Sequence, residues 1–253
     1  MRTKAAPGPK VVVARSAEGN SELSGRLREL GTLPVAVDTV EFLEPSDWSE
    51  VDGALANIGR FDWVGLTSPR GASIFARRMR SAGRLSGEAS PRIAAVGEKT
   101  AETAREEGFE VGFVPSEYTT VALGEQLPKE AGMRVLLLRA ERADDEVVEV
   151  LKGRGFSVTA VPIYRTGFIQ GRYHGPGVED AKAVLLGSPS EVEGLVRRLE
   201  PKVFETLRSG AVAICIGPVT AKAAREAGFG QVLTPRIHTF DALLMEVGRA
   251  VAR

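Results

Sequence analysis

Four short stretches carry the groups best suited to chemistry, and they come in pairs. Thr67-Ser68-Pro69-Arg70 and Gly187-Ser188-Pro189-Ser190 each set a hydroxyl at an expected helix N-cap, with proline at the first helical position. Gly97-Glu98-Lys99-Thr100 and Gly217-Pro218-Val219-Thr220 each set a glycine leaving an expected strand and a threonine entering a helix. Such turns expose backbone N–H groups at the positive end of a helix dipole, which together bind carboxylate or phosphate without any lysine. The plainer reading of each turn is capping alone, and a duplication copies caps as readily as binding sites. Tyr164 adds an aromatic hydroxyl in an expected linker, Val161-Pro162-Ile163-Tyr164-Arg165-Thr166. It either packs across a hinge or, as a phenol with a pKa of about 10, donates a proton to a departing hydroxyl.

Other chemistries find little support. Neither G-x-G-x-x-G nor G-x-x-x-x-G-K-[ST] occurs, so the dinucleotide and nucleoside-triphosphate fingerprints are missing. With only two histidines, His174 and His238, and no cysteine cluster, a zinc or Ser-His-Asp site is not expected. Cys215 sits in an apolar run and reads as a buried, inert thiol. Asp144-Asp145-Glu146 reads as the solvated first turn of a helix, Arg77-Arg78 and Arg197-Arg198 as solvent faces, and Lys222 as a surface lysine near a helix start.

The elements that position these turns are repeated. Gly97 to Phe109 aligns without a gap on Gly217 to Phe229, a shift of 120 residues, and Ser68-Pro69 with Ser188-Pro189, Pro115 with Pro235, and Thr119 with Thr239 share it. The first copy continues through a strand at Arg134 to Arg139, a helix at Asp144 to Arg154, Gly155 and a strand at Val158 to Val161. The second copy runs out of chain first. Its equivalent is the N-terminus, with a strand at Val11 to Arg15, a helix at Ser21 to Leu30, Gly31 and a strand at Val35 to Val37, so that Arg15, Glu22, Leu27 and Gly31 match Arg139, Glu146, Leu151 and Gly155. The head of the chain therefore completes the lobe made by its tail.

Short apolar runs alternating with amphipathic stretches imply parallel sheets, and Gly31, Gly108, Gly155 and Gly228 stand where left-handed helix caps belong. The expected fold is α/β: two similar flavodoxin-like parallel-sheet domains of about five strands each, the first discontinuous. Residues 1–37 with 167–253 form the first, 41–161 the second, and 38–40 and 162–166 are antiparallel linkers. A cleft between the domains is the expected ligand site.

Composition agrees with a globular protein. The 253 residues are 43% apolar and 26% charged, and 33 basic residues balance 33 acidic ones. The net charge of +0 offers no global field to draw nucleic acid or an anionic membrane. One cysteine, a start from Met1 to Lys10 with no apolar signal core, and no apolar run near the roughly 18 residues that span a bilayer fit a soluble cytoplasmic protein.

Phe61-Asp62-Trp63-Val64 followed by Thr67-Ser68-Pro69, the paired Gly-x-x-Thr-Ala turns with Gly-Phe ends, Ile163-Tyr164-Arg165-Thr166 and Ser188-Pro189-Ser190 together resemble the uroporphyrinogen-III synthase family, from Val11 to Ala250. The resemblance implies cyclisation of hydroxymethylbilane to uroporphyrinogen III in tetrapyrrole (haem, sirohaem, cobalamin) biosynthesis. The terminal pyrrole is inverted and water leaves, through an azafulvene and a spiro intermediate and without a cofactor. It puts the functional positions on Thr67, Ser68, Gly97, Thr100, Tyr164, Ser188, Gly217 and Thr220, with Tyr164 assisting hydroxyl departure and the others binding substrate carboxylates. It also implies a monomer that takes substrate from hydroxymethylbilane synthase. This chain has Gly187 where many members carry Thr, and Ser16 where proline often follows the arginine. The rival readings are a non-catalytic hinge-closing protein that binds a small anion, and a phosphosugar enzyme using the same turns.

Overall fold

The computed structural model describes residues 8–83, 91–130 and 132–251; the expectations for residues 1–7, 84–90, 131, 252 and 253 lie outside that range. Along the chain run β1 (Lys10–Val13), α1 (Ala17–Glu29), β2 (Leu33–Ala36), β3 (Val40–Leu43), α2 (Ser49–Ala56), β4 (Trp63–Leu66), α3 (Pro69–Ser81), β5 (Arg92–Ala95) and α4 (Glu98–Glu106). Then come β6 (Val111–Phe113), α5 (Thr120–Gln126), β7 (Arg134–Ala140), α6 (Glu146–Gly153) and β8 (Ser157–Phe168). The last third holds β9 (Ala183–Leu186), α7 (Pro189–Arg198), α8 (Pro201–Gly210), β10 (Val212–Cys215), α9 (Pro218–Glu226), β11 (Gln231–Leu233) and α10 (Phe240–Val251). The chain divides into two compact units, one made of residues up to Phe42 and from Gly167 onward, the other of Leu43–Thr166.

In the discontinuous unit the sheet order is β11-β10-β9-β1-β2 with every pairing parallel. Numbered along the chain this is 2-1-3-4-5, the flavodoxin-like order. The other unit has the order β8-β7-β4-β5-β6, again parallel, with β3 added beside β8. Here β7 and β8 take the places of β1 and β2, so one unit is a circular permutation of the other.

Alternation along the strands builds a core on each sheet face. Val12, Val184, Leu186, Ala213 and Cys215 point into one cluster, and Val11, Val13, Ala183, Leu185 and Ile214 into the opposite one. In the second unit Val64, Leu66, Leu136 and Leu138 face one cluster, and Trp63, Val135 and Leu137 the other. Strands covered on both faces must read as continuous apolar runs, as β4 and β9 do. The helices that cover them present a stripe, Ala72, Phe75, Ala76 and Met79 in α3 for example. Their C-termini close on Gly31, Gly108, Gly155 and Gly228 at φ of 74°, 94°, 82° and 92°, where any Cβ is strained.

Three details differ from the sequence reading. The segment 162–166 is strand as well as connection: β8 runs unbroken from Ser157 to Phe168, and the division between the units falls within it, after Thr166. Its register slips there, with Arg139 opposite Pro162 but Ala140 opposite Tyr164, an irregularity that absorbs a proline lacking an N–H. Helix α1 starts at Ala17, before Ser21, because the Ser16 side chain caps it by accepting from Gly19 N at 3.3 Å. Arg78 and Arg198 are not simple solvent faces. Arg78 stacks on Trp48 at 4.3 Å, and Arg198 donates through Nε to Asp38 O at 2.9 Å and through Nη1 to Gln170 O at 3.0 Å, tying down the glycine-rich return loop.

Candidate functional site

Within each unit the expected residues stand at the carboxyl ends of the strands, where ligands bind in open parallel sheets. In each unit two of the helices that begin there start in different ways. Helices α3 and α7 are closed by serine. Ser68 Oγ accepts from Gly71 N at 3.0 Å and Ser188 Oγ from Glu191 N at 3.2 Å, so both acceptors are used for capping and each hydroxyl keeps its proton for donation. Thr67 spends its proton within the fold, donating to Leu138 O at 3.2 Å.

Helices α4 and α9 are left open. Their N-caps are Gly97 and Gly217, and neither first turn has a side-chain cap. Both glycines are extended, with φ of −172° and −159°, so conformation does not demand glycine. The missing side chain leaves the first-turn amides without a side-chain acceptor, and Thr100 N instead donates to Gly97 O at 3.1 Å. Thr100 and Thr220, the third residues of these helices, are buried at 2% and 3% exposure. Pro218 at the first position of α9 has no N–H, which concentrates donation on the next residues.

Tyr164 lies on β8 next to β7, and its carbonyl accepts from Glu141 N at 2.9 Å. Its ring borders the start of α3: a Cβ on Gly71 would sit 3.2 Å from Ser68 Oγ and 4.0 Å from Tyr164 Cε1. Tyr164 lines a cavity of about 280 Å³ with Pro45, Asp47, Glu141 and Arg165. The Ser49 amide and hydroxyl hold the Asp47 carboxyl below the usual carboxylate range.

A second constellation, around Glu191, was not foreseen. This carboxylate is 6% exposed. It accepts from Gly187 N at 2.5 Å and from Arg15 Nε at 3.2 Å. Burial pushes the Glu191 carboxyl up, opposed by the Arg15 guanidinium and the Gly187 amide. Arg15 stacks on Phe240 with its guanidinium carbon 4.0 Å from the ring centroid. The Ser188-x-x-Glu191 spacing is that of a capping box, the one local signal that marks it. Gly187 now has an explanation: a Cβ there would stand 2.8 Å from Phe240 Cζ and 3.2 Å from Glu191 Oε2. Lys222 stays on the surface, 3.9 Å from Glu226. Cys215 is buried, which pushes its thiol up to about 12 and leaves it inert. Among the described residues no three His, Cys, Asp or Glu side chains come together as a metal site, and no helix is long and apolar enough to cross a membrane.

A family model described as uroporphyrinogen-III synthase HemD matches residues 21–245. The chain is 29% identical over 255 residues to porphyrin biosynthesis protein HemD of Ruminiclostridium josui, covering 95% of this chain and 49% of that protein. It is 28% identical over 256 residues to the chloroplastic uroporphyrinogen-III synthase of Oryza sativa subsp. japonica, covering 97% and 82%. It spans 61% of the length of the Synechococcus elongatus uroporphyrinogen-III synthase and about half of the R. josui protein. Among solved structures, a mutant uroporphyrinogen III synthase of the extremely thermophilic bacterium Thermus thermophilus superposes with a TM-score of 0.64 at 18% identity, over 97% of this chain and 99% of that one. The Helicobacter pylori enzyme gives 0.60 at 16%, over 94% and 98%, a likeness of fold. The family match covers every strand of both sheets except β1, and this chain belongs to the uroporphyrinogen-III synthase family.

Proposed function

We propose that this protein cyclises hydroxymethylbilane to uroporphyrinogen III, inverting the terminal pyrrole ring as water leaves. One observation carries the reading beyond family membership. Both units pair a serine-capped helix with a glycine-opened one at the carboxyl ends of neighbouring strands, so backbone donors face the edge where ligands bind. A linear tetrapyrrole with many carboxylate arms needs such donors, and it closes to the wrong isomer if its shape is not held. The main task is therefore positioning. The amides behind Gly97 and Gly217, with Thr100 and Thr220, take carboxylate arms. Ser68 and Ser188 add hydroxyl donors, and Thr67 contributes its turn's backbone. Tyr164 gives its phenolic proton to the hydroxyl that departs as water, generating the electrophile that the inverted ring attacks.

In the cell the enzyme works as a cytoplasmic monomer supplied by hydroxymethylbilane synthase. The test is incubation with freshly made hydroxymethylbilane and chromatographic separation of the isomers. Type III product above the uncatalysed background is expected. Type I product alone, at the spontaneous rate, overturns the proposal and favours a protein that only binds small anions.

A further inference from the structure

Arg15 follows β1, Gly187 and Ser188 follow β9, and these two strands are neighbours. In a sheet ordered 2-1-3-4-5 this is where the strand order reverses, the crevice in which such folds place their ligands. The Arg15 side chain there is 19% exposed. Its Nε is committed to Glu191, its face to Phe240, and its flank to the first turn of α1, where a Cβ on Gly19 would lie 3.1 Å from Cζ and from Nη1. Among the described residues Nη1 and Nη2 have no hydrogen-bond or ion-pair partner. The four N–H bonds on those two nitrogens form the planar fork that grips a carboxylate through two parallel bonds.

The duplicated copy shows that this opening is particular to one unit. Arg139 stands at the matching place after β7, and its fork is closed by its own helix start: Nη1 donates to Asp144 O at 3.0 Å and Nη2 to the Asp145 carboxylate. At Arg15 the carboxylate comes instead from the side, on Nε, and leaves the fork clear.

We propose that Arg15 receives a carboxylate arm of the substrate through Nη1 and Nη2, and that Glu191 is a positioning residue that fixes the guanidinium for it. This deepens the proposed function and rests on it for the identity of the ligand. Arg15→Gln raises the KM for hydroxymethylbilane and the Kd for uroporphyrinogen III at least tenfold, with the loss falling on KM rather than kcat. Arg15→Lys, which keeps the charge without the fork, recovers only part of it. Glu191→Gln weakens binding severalfold in the native background and not at all when added to Arg15→Gln.

Native affinity in Arg15→Gln overturns the proposal, and so does an equal effect of Glu191→Gln in both backgrounds, which would make Glu191 a mere prop of the turn. Should Glu191→Gln fail to fold, the guanidinium resonances of the wild-type protein decide. During a titration with uroporphyrinogen III the Nη signals of Arg15 move more than its Nε signal, and the reverse order refutes the assignment. Failure of the broader reading is separately visible as loss of type III product by the wild type, while product affinity is measured without turnover.

Discussion

Replacing Gly217 with serine separates a binding role of the open helix from a structural one. A Cβ at this position meets nothing closer than His238 at 3.6 Å, an ordinary contact, and φ of −159° suits any residue. The new hydroxyl would accept from Val219 N or Thr220 N and give α9 the cap that Ser188 gives α7. Serine is better than glycine at an N-cap by only a few tenths of a kcal/mol, so melting should rise by about 1 °C at most. Binding should move the other way. A hydrogen bond to a charged group is worth about 1.5–3 kcal/mol, and diverting one first-turn amide from a ligand carboxylate costs about 10- to 100-fold in affinity. The assay pairs calorimetric titration of uroporphyrinogen III with thermal unfolding of the same samples. Unchanged affinity alongside unchanged or raised stability would refute the claim that the glycine is there to leave the helix open.

Other outcomes follow from single contacts. Tyr164→Phe keeps the ring beside Gly71 and removes the phenolic proton, so turnover should fall at least about tenfold, or about 1.4 kcal/mol of barrier; wild-type turnover reduces the residue to packing. Gly187→Thr should destabilise this chain by about 1–3 kcal/mol through overpacking, because Phe240 and Glu191 fill its space; denaturant unfolding at wild-type midpoint would contradict that. Cys215, with its thiol pushed up to about 12 by burial, should resist iodoacetamide at pH 8 until the chain unfolds. Mass-spectrometric labelling of the native protein within minutes would show the thiol to be accessible.

Much of the architecture was legible because duplication supplies an internal comparison. The match of Arg15, Glu22, Leu27 and Gly31 to Arg139, Glu146, Leu151 and Gly155 foretold the permuted sheets in which β1 and β2 answer to β7 and β8. The glycines after helices were legible because left-handed caps tolerate little else. The length of β8 was hidden, since Pro162 and Gly167 signal a break locally while pairing with β7 carries the strand through both. The early start of α1 was obscured by Gly19, a poor helix former kept where the Arg15 guanidinium leaves no room for a Cβ.

At the site, the turns themselves were readable from their glycines, serines and prolines. What each hydroxyl does was not: Thr67 gives its proton to Leu138 O, and that depends on which strand lies beside β4. The Arg15–Glu191 pair joins residues 176 apart in sequence, and no local pattern brings Phe240 to its face. Long-range pairing of this kind follows from strand order, and becomes visible only once β1 and β9 are known to be neighbours.

The central claim is that backbone donors at the glycine-opened helices receive substrate carboxylates, with the serine hydroxyls only adding to them. Amide chemical shifts recorded while uroporphyrinogen III is titrated into isotope-labelled protein address it directly. The largest changes should fall on Lys99 and Thr100 of α4 and on Val219 and Thr220 of α9. Silent amides at those four residues, with saturable shifts at the starts of α3 and α7 alone, would contradict the account.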